Sequence, residues 1–214
     1  MLLYLIRHGK TDSFLENIRQ SPQTPLGEYG KKQAQAVAEK IGSHKIDHLY
    51  SSDWPRAYQT AEAISTQLGL PIKIHPLVHE MEKPTVLDNV ADESEINLKF
   101  LEERKANRGN FDWKFNNGGE SFNETIDRAK KVLQFLEAEH PIDTVAIVTH
   151  GTFSMVLISL ILLGIDSDKT SFEKVFMSLR IHNTGVSSFK YNPETKHWTM
   201  ICFNDQGHLE KIES

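Results

Sequence analysis

An arginine and a histidine stand side by side at positions 7 and 8, near the end of LYLIRHGKTD, which spans residues 3 to 12. A second histidine, His150, closes another apolar run, DTVAIVTHG, and again a glycine follows, Gly151. A further cation, Arg56, sits near the start of DWPRAYQTAEAISTQLG. Two imidazoles and two guanidiniums are the materials of an anion site, because guanidinium forks match phosphate oxygens bidentately. The chemistry expected of such a set is binding or transfer of a phosphoryl group.

For these side chains to meet, secondary structure must carry them to one place. Leu2, Leu3, Leu5 and Ile6, with Tyr4 among them, suit a buried strand, and so does the run before His150. IDHLYSSD reads as another strand, leading into the loop that holds Arg56. In a parallel sheet the strand ends lie on one edge, where open α/β sheets bind ligands. His8 and His150 then meet if their strands are neighbours. Arg56 would arrive at the start of a helix, whose N–H groups favour anions, and Gly9 lets the chain turn close to a ligand. Each residue also has a plain reading: His150 as a satisfied strand-end histidine, Asp53 as a helix cap, Glu80 and Glu82 as surface carboxylates.

The remaining elements follow the same pattern. TPLGEYGKKQAQAVAEKIG predicts a helix capped by Thr24, started by Pro25 and ended by Gly42, with Ala34, Val37, Ala38 and Ile41 on one face. A second cap, proline and helix pattern runs from Asp53 and Pro55 to Leu68. PIKIHPLVHEMEKP gives a short strand and an irregular segment. Residues 82 to 120 are polar and charged, with one short helix at ESEINLKFLEERKAN and no dominant core pattern, so they read as an insertion or lid. Ser121 and Glu124 form a capping-box pattern opening a long helix, and FSMVLISLILLGI is a helix buried on most sides. TGVSSFKYN and HWTMICFN are the last two strands. Strands alternating with helices predict an α/β fold with a mostly parallel sheet, helices on both faces, and the insertion over the C-terminal edge of the sheet. Without repeats or a linker, residues 1–214 are expected to form a single domain.

Bulk properties narrow the partners. The 214 residues carry 24 basic and 29 acidic side chains, a net charge of −5, which leaves no electrostatic footprint for nucleic acid or an anionic membrane. The longest apolar stretch is too short to span a bilayer, and no signal peptide is visible. The single cysteine, Cys202, fits a reducing compartment, so a cytoplasmic protein is expected, as a monomer or homodimer. The other histidines have no metal-ligand spacing, so neither metal nor cofactor is expected.

Five ordered blocks, LIRHGKT, TPLGEYGKKQA, YSSDWPRAYQTAE, NGGESFNETIDR and VAIVTHG, followed by NTGVSSF, resemble the histidine phosphatase superfamily, which includes cofactor-dependent phosphoglycerate mutases and many small phosphatases. The resemblance implies a phosphoglycerate mutase-like fold and a phosphorylated small-molecule substrate. It makes His8 the phosphorylated nucleophile, with Arg7, Arg56 and His150, and Gly151 beside it, binding phosphoryl oxygens. Glu80 falls at the general-acid position, with Glu82 as its rival because HEMEKP lacks the family's continuation. Lys10 and Phe14 depart from the family pattern. Asn17 is read as the substitute for the Asn expected near position 14, and Thr24 resembles a residue that also touches phosphate. A metal-independent phosphomonoesterase is expected. A phosphoglycerate mutase, or a weakly active phosphate-binding adaptor, is the alternative.

Overall fold

The computed structural model describes residues 1–14 and 17–213. Six strands form one mixed sheet. They are β1 (Leu2–Arg7), β2 (His48–Ser51), β3 (Ile72–Ile74), β4 (Thr144–Thr149), β5 (Val186–Asn192) and β6 (His197–Asp205), in the order β3-β2-β4-β1-β5-β6. The first four run parallel, and the β5–β6 hairpin adds an antiparallel edge beside β1. The helices are α1 (Glu28–Gly42), α2 (Pro55–Leu68), α3 (Glu95–Ala106), α4 (Phe122–Glu139), α5 (Gly151–Leu163), α6 (Lys169–Ser178) and the short α7 (Glu210–Glu213).

Alternation along the strands builds two cores. Leu3, Leu5, Val145 and Ile147 face α4 and α5, with Val132, Leu136, Val156 and Leu157. Tyr4, Ile6, Ala146 and Val148 face α1 and α2, with Val37, Ile41, Ala61 and Ile64. Central parallel strands covered on both sides need apolar residues at successive positions, which is why β1 and β4 read as unbroken runs. The β1–β4 register pairs Arg7 with Thr149, so the residues that follow, His8 and His150, leave the sheet together. No helix among the described residues is long and apolar enough to cross a membrane.

Four local expectations need correction. Helix α1 starts at Glu28 with Gly27 at its cap, not at Thr24 and Pro25. The preceding residues make tertiary bonds instead: Leu26 N–H to Gln59 and Gly27 N–H to the Lys10 carbonyl. Helix α2 is capped at Trp54, without a side-chain bond from Asp53, and the Trp54 N–H donates to Ser52 Oγ. Helix α6 was not anticipated. Asp168 caps it, and Phe172 and Phe176 pack against Phe122 of α4. The insertion also has a small core of its own, in which Leu87, Phe100 and Phe115 are buried.

Candidate active site

The loops after β1, β2 and β4 bring Arg7, His8, Arg56 and His150 together. His8 is almost fully buried, and its Nδ1 lies 2.7 Å from the Gly9 carbonyl. A carbonyl only accepts, so Nδ1 carries the proton and Nε2 keeps its lone pair. Arg56 donates its Nε–H to that same Nε2 at 3.3 Å. The two imidazole rings stand 5.1 Å apart, and Trp54 packs against both His150 and the Arg56 guanidinium. Burial, then Arg56 and Arg7, hold His8 well below the ordinary histidine pKa. His150 is lowered in the same way by burial and by the neighbouring His8, Arg56, His79 and Arg7. Burial brings Arg56 down to about 10, against the opposing pull of Glu80.

The backbone around the pair leaves little freedom. A Cβ at Gly9 would lie 2.5 Å from the Gly30 carbonyl oxygen, and one at Gly151 would lie 3.2 Å from Arg7 Nε. Behind His8, the NTG turn closes the site from the far strand: Asn183 Nδ2 donates to the His8 carbonyl, and Thr184 N–H to the Arg7 carbonyl. Arg7 itself is anchored by Nη1 on the Ile181 carbonyl at 2.6 Å. Arg7 Nε and His150 Nδ1 are buried without a hydrogen-bond partner, which a native interior rarely tolerates except where a site is built for a ligand.

Glu80 completes the group. Its Oε1 accepts the N–H groups of Met81 and Phe153, and its Oε2 that of Thr152, each at 2.9 Å, so the carboxylate sits on the N-terminus of α5 beside Gly151. Oε2, with one amide partner, retains a free lone pair.

A family model for the histidine phosphatase superfamily (branch 1) matches residues 3–206. The chain belongs to that superfamily. Phosphoglycerate mutase-like protein 4 of Arabidopsis thaliana is 32% identical, covering 98% of this chain and 87% of that protein. A probable phosphoglycerate mutase GpmB of Proteus mirabilis is 27% identical, covering 98% and 95%. Among solved structures, the fold is similar to alpha-ribazole phosphatase from Shigella flexneri (TM-score 0.80, 23% identity, 96% of each chain). It is also similar to mycobacterial glucosyl-3-phosphoglycerate phosphatase (TM-score 0.78, 24% identity, 96% and 99%).

Other residues singled out in this histidine phosphatase sequence lie further out. Glu82 is exposed, its carboxylate 4.0 Å from His79. Thr24 Oγ1 accepts the Ser21 N–H, and Ser21 in turn offers its carbonyl to Arg56 Nη1 at 2.9 Å, so Thr24 stands one residue behind the arginine. Asn17 is exposed with a φ of 51°, and its carbonyl accepts the Asp92 N–H. Nothing among the described residues ties Asn17 to His8.

Sequence reasoning missed the groups that hold this superfamily site in place. Arg128 is buried and paired with Glu120 through two bonds, at 2.8 and 2.7 Å. Its guanidinium also donates to the carbonyls of Leu77, His79 and Glu80. Glu120 accepts the Glu82 N–H and returns its own N–H to the Glu82 carbonyl. The segment bearing Glu80 is thus gripped from both sides. The signal was a cation in the apolar stripe of α4, between Thr125 and Ala129. Ser52, whose hydroxyl lies 3.0 Å from His150 Nε2, was also missed.

One histidine and carboxylate cluster does assemble, contrary to the spacing argument. His48, His140 and Asp143 have ligand atoms within 4.8 Å of one another at the N-terminal ends of β2 and β4, the opposite edge from His8. Both His140 nitrogens are engaged, by Tyr50 and Asp143, and Lys73 Nζ lies 3.1 Å from His48 Nδ1. An ammonium there opposes a metal cation, and the cluster reads as a hydrogen-bonded network.

Proposed function

We propose that this protein is a metal-independent phosphomonoesterase that acts on a small phosphorylated metabolite through a phosphohistidine. The observation that carries the reading is His8 Nε2, an unprotonated nitrogen in a buried cationic pocket. Nε2 attacks phosphorus, and the bond from phosphorus to the substrate oxygen breaks. Arg7, Arg56 and His150 hold the phosphoryl oxygens, and the loose transition state asks of the protein mainly position and charge. A proton on Glu80 Oε2 goes to the leaving alkoxide. Water then attacks the phosphohistidine, giving its proton back to Glu80, and the P–N bond breaks to release phosphate. The two arginines supply the charge that a metal would otherwise provide.

The structurally similar phosphatases, named for glucosyl-3-phosphoglycerate, alpha-ribazole phosphate and phosphoserine, support a small metabolite as substrate. The relatives named as probable phosphoglycerate mutases favour a second reading, in which a sugar-acid hydroxyl takes the phosphoryl group in place of water. Phosphate release and 2-phosphoglycerate formation, measured together from 3-phosphoglycerate with catalytic 2,3-bisphosphoglycerate, separate the two. Faster isomerisation than phosphate release would establish the mutase. Acid-labile, alkali-stable labelling of wild-type protein but not of His8→Ala tests the intermediate itself.

A further inference from the structure

Beside the phosphoryl pocket lies a second group of cations that the reaction above does not use. Arg19, on the loop before α1, and Arg104, on α3, both lie over the Phe100 ring, 4.8 and 5.7 Å from its centre. Arg19 Nη1 is fixed on Asn97 Oδ1 at 2.7 Å, while its Nε is buried without a partner. Lys83 follows Glu80 by three residues. It lines, with Arg104 and Phe100, a cavity of about 550 Å³ that also touches Thr152, whose N–H holds Glu80.

Among the described residues, none of Arg19, Lys83 and Arg104 has a carboxylate within ion-pair distance. By contrast, Arg108 and Lys114 on the same cavity wall are paired with Glu173 and Glu124. The acids whose charge reaches the cluster are Glu80, towards Lys83, and Asp92, towards Arg19, while Asp88 lies near Lys83. Like charges crowded around one aromatic ring repel one another unless an anion joins them. Lys83 is exposed where it lines the cavity. The protein around its ammonium, and then Arg19, Arg104 and Arg56, lower it to about 8. The charge of Glu80 acts on both Lys83 and Arg56, so the two cationic groups adjoin one carboxylate.

We infer that Arg19, Lys83 and Arg104 form a second anion subsite, and that the preferred substrate is a small phosphomonoester carrying another anionic group, a carboxylate or a second phosphoryl, at its far end. The inference rests on the phosphomonoesterase reading for which end reacts. The cations also suit the insertion to recognition: Lys83, Arg104 and Phe100 all lie in residues 82 to 120, against the edge of the sheet that bears His8.

Three probes on one carbon skeleton test it: sn-glycerol 3-phosphate, 3-phosphoglycerate and glycerol 1,3-bisphosphate. The kcat/KM for phosphate release is expected to favour one or both anionic-tailed probes over sn-glycerol 3-phosphate by about tenfold or more, and which of them leads identifies the tail. Lys83→Gln and Arg104→Gln should each bring that ratio towards one, and Lys83→Arg should retain it. A wild-type ratio near one, or a ratio that the Gln variants leave unchanged, overturns the subsite. Calorimetric titration of the same probes into His8→Ala protein reads the preference without turnover. A preference in binding with no hydrolysis by wild type keeps the subsite and removes the phosphatase reading. Hydrolysis without the preference does the reverse.

Discussion

Arg56 Nε donates to His8 Nε2 at 3.3 Å, so the residue proposed to bind the phosphoryl group also points to the lone pair proposed to attack it. Its Nη1 is anchored on the Ser21 carbonyl at 2.9 Å, which fixes the plane of the fork. Arg56→Lys keeps a charge but loses that geometry, and is expected to lower kcat/KM on p-nitrophenyl phosphate by about a hundredfold or more, on the scale of losing preorganised transition-state donors. Because burial, Arg56 and Arg7 hold His8 well below the ordinary range, the nucleophile stays unprotonated as pH falls through 6.5. A kcat/KM profile with no loss of nucleophile near that pH is expected. A titration there that vanishes in Arg56→Gln would contradict the stated cause.

Glu80 and Glu82 are separated by leaving-group dependence. Glu80→Gln should cut turnover of alkyl phosphates by about 10²–10⁴, the usual scale for general acid catalysis. It should affect p-nitrophenyl phosphate much less, since that leaving group needs little protonation. Glu82→Gln should show neither pattern. The opposite result would move the acid two residues along the loop.

Arg128 is a positioning residue. Arg128→Met leaves the partly buried Glu120 without its ion-pair partner, and the Leu77 and His79 carbonyls without a donor, so a stability loss of about 3–5 kcal/mol is expected in denaturant unfolding. If the clamp acts through Glu80, the folded variant will also acquire the leaving-group dependence of Glu80→Gln. A loss of stability with alkyl and aryl phosphates slowed equally would show a purely structural role.

His208 supports the same site from the far side. Its Nε2 lies 3.0 Å from Thr184 Oγ1, in the turn whose N–H groups meet Arg7 and His8. Burial, with help from Lys40 and against Asp205, lowers His208 to about 4. The unfolded chain therefore binds more protons between pH 6.5 and 4, and the stability His208 contributes falls as pH drops through that window and then levels below it. His8 and His150 push the same way. Thermal unfolding of His208→Asn should lose less between pH 7 and pH 5 than wild type. Equal losses would show that His208 is not among the groups responsible.

Much of the fold and the centre of the site was legible in the chain because the signals are local. Apolar runs in β1 and β4 end at His8 and His150, and Ser121 and Glu124 satisfy each other within one turn of α4. The glycines after both histidines belong to the same short-range pattern. Where chain neighbours compete with distant partners, local signals misled: Thr24 reads as a cap, yet its hydroxyl serves Ser21, while Gly27 beside it bonds the Lys10 carbonyl across the site. Tertiary structure alone decided what surrounds the centre. The Arg128 and Glu120 clamp, Ser52 against His150, Asn183 behind His8 and the cations around Phe100 join residues far apart in sequence. A buried charge is tolerated only where partners from several segments converge on it. No single segment of the chain records that convergence.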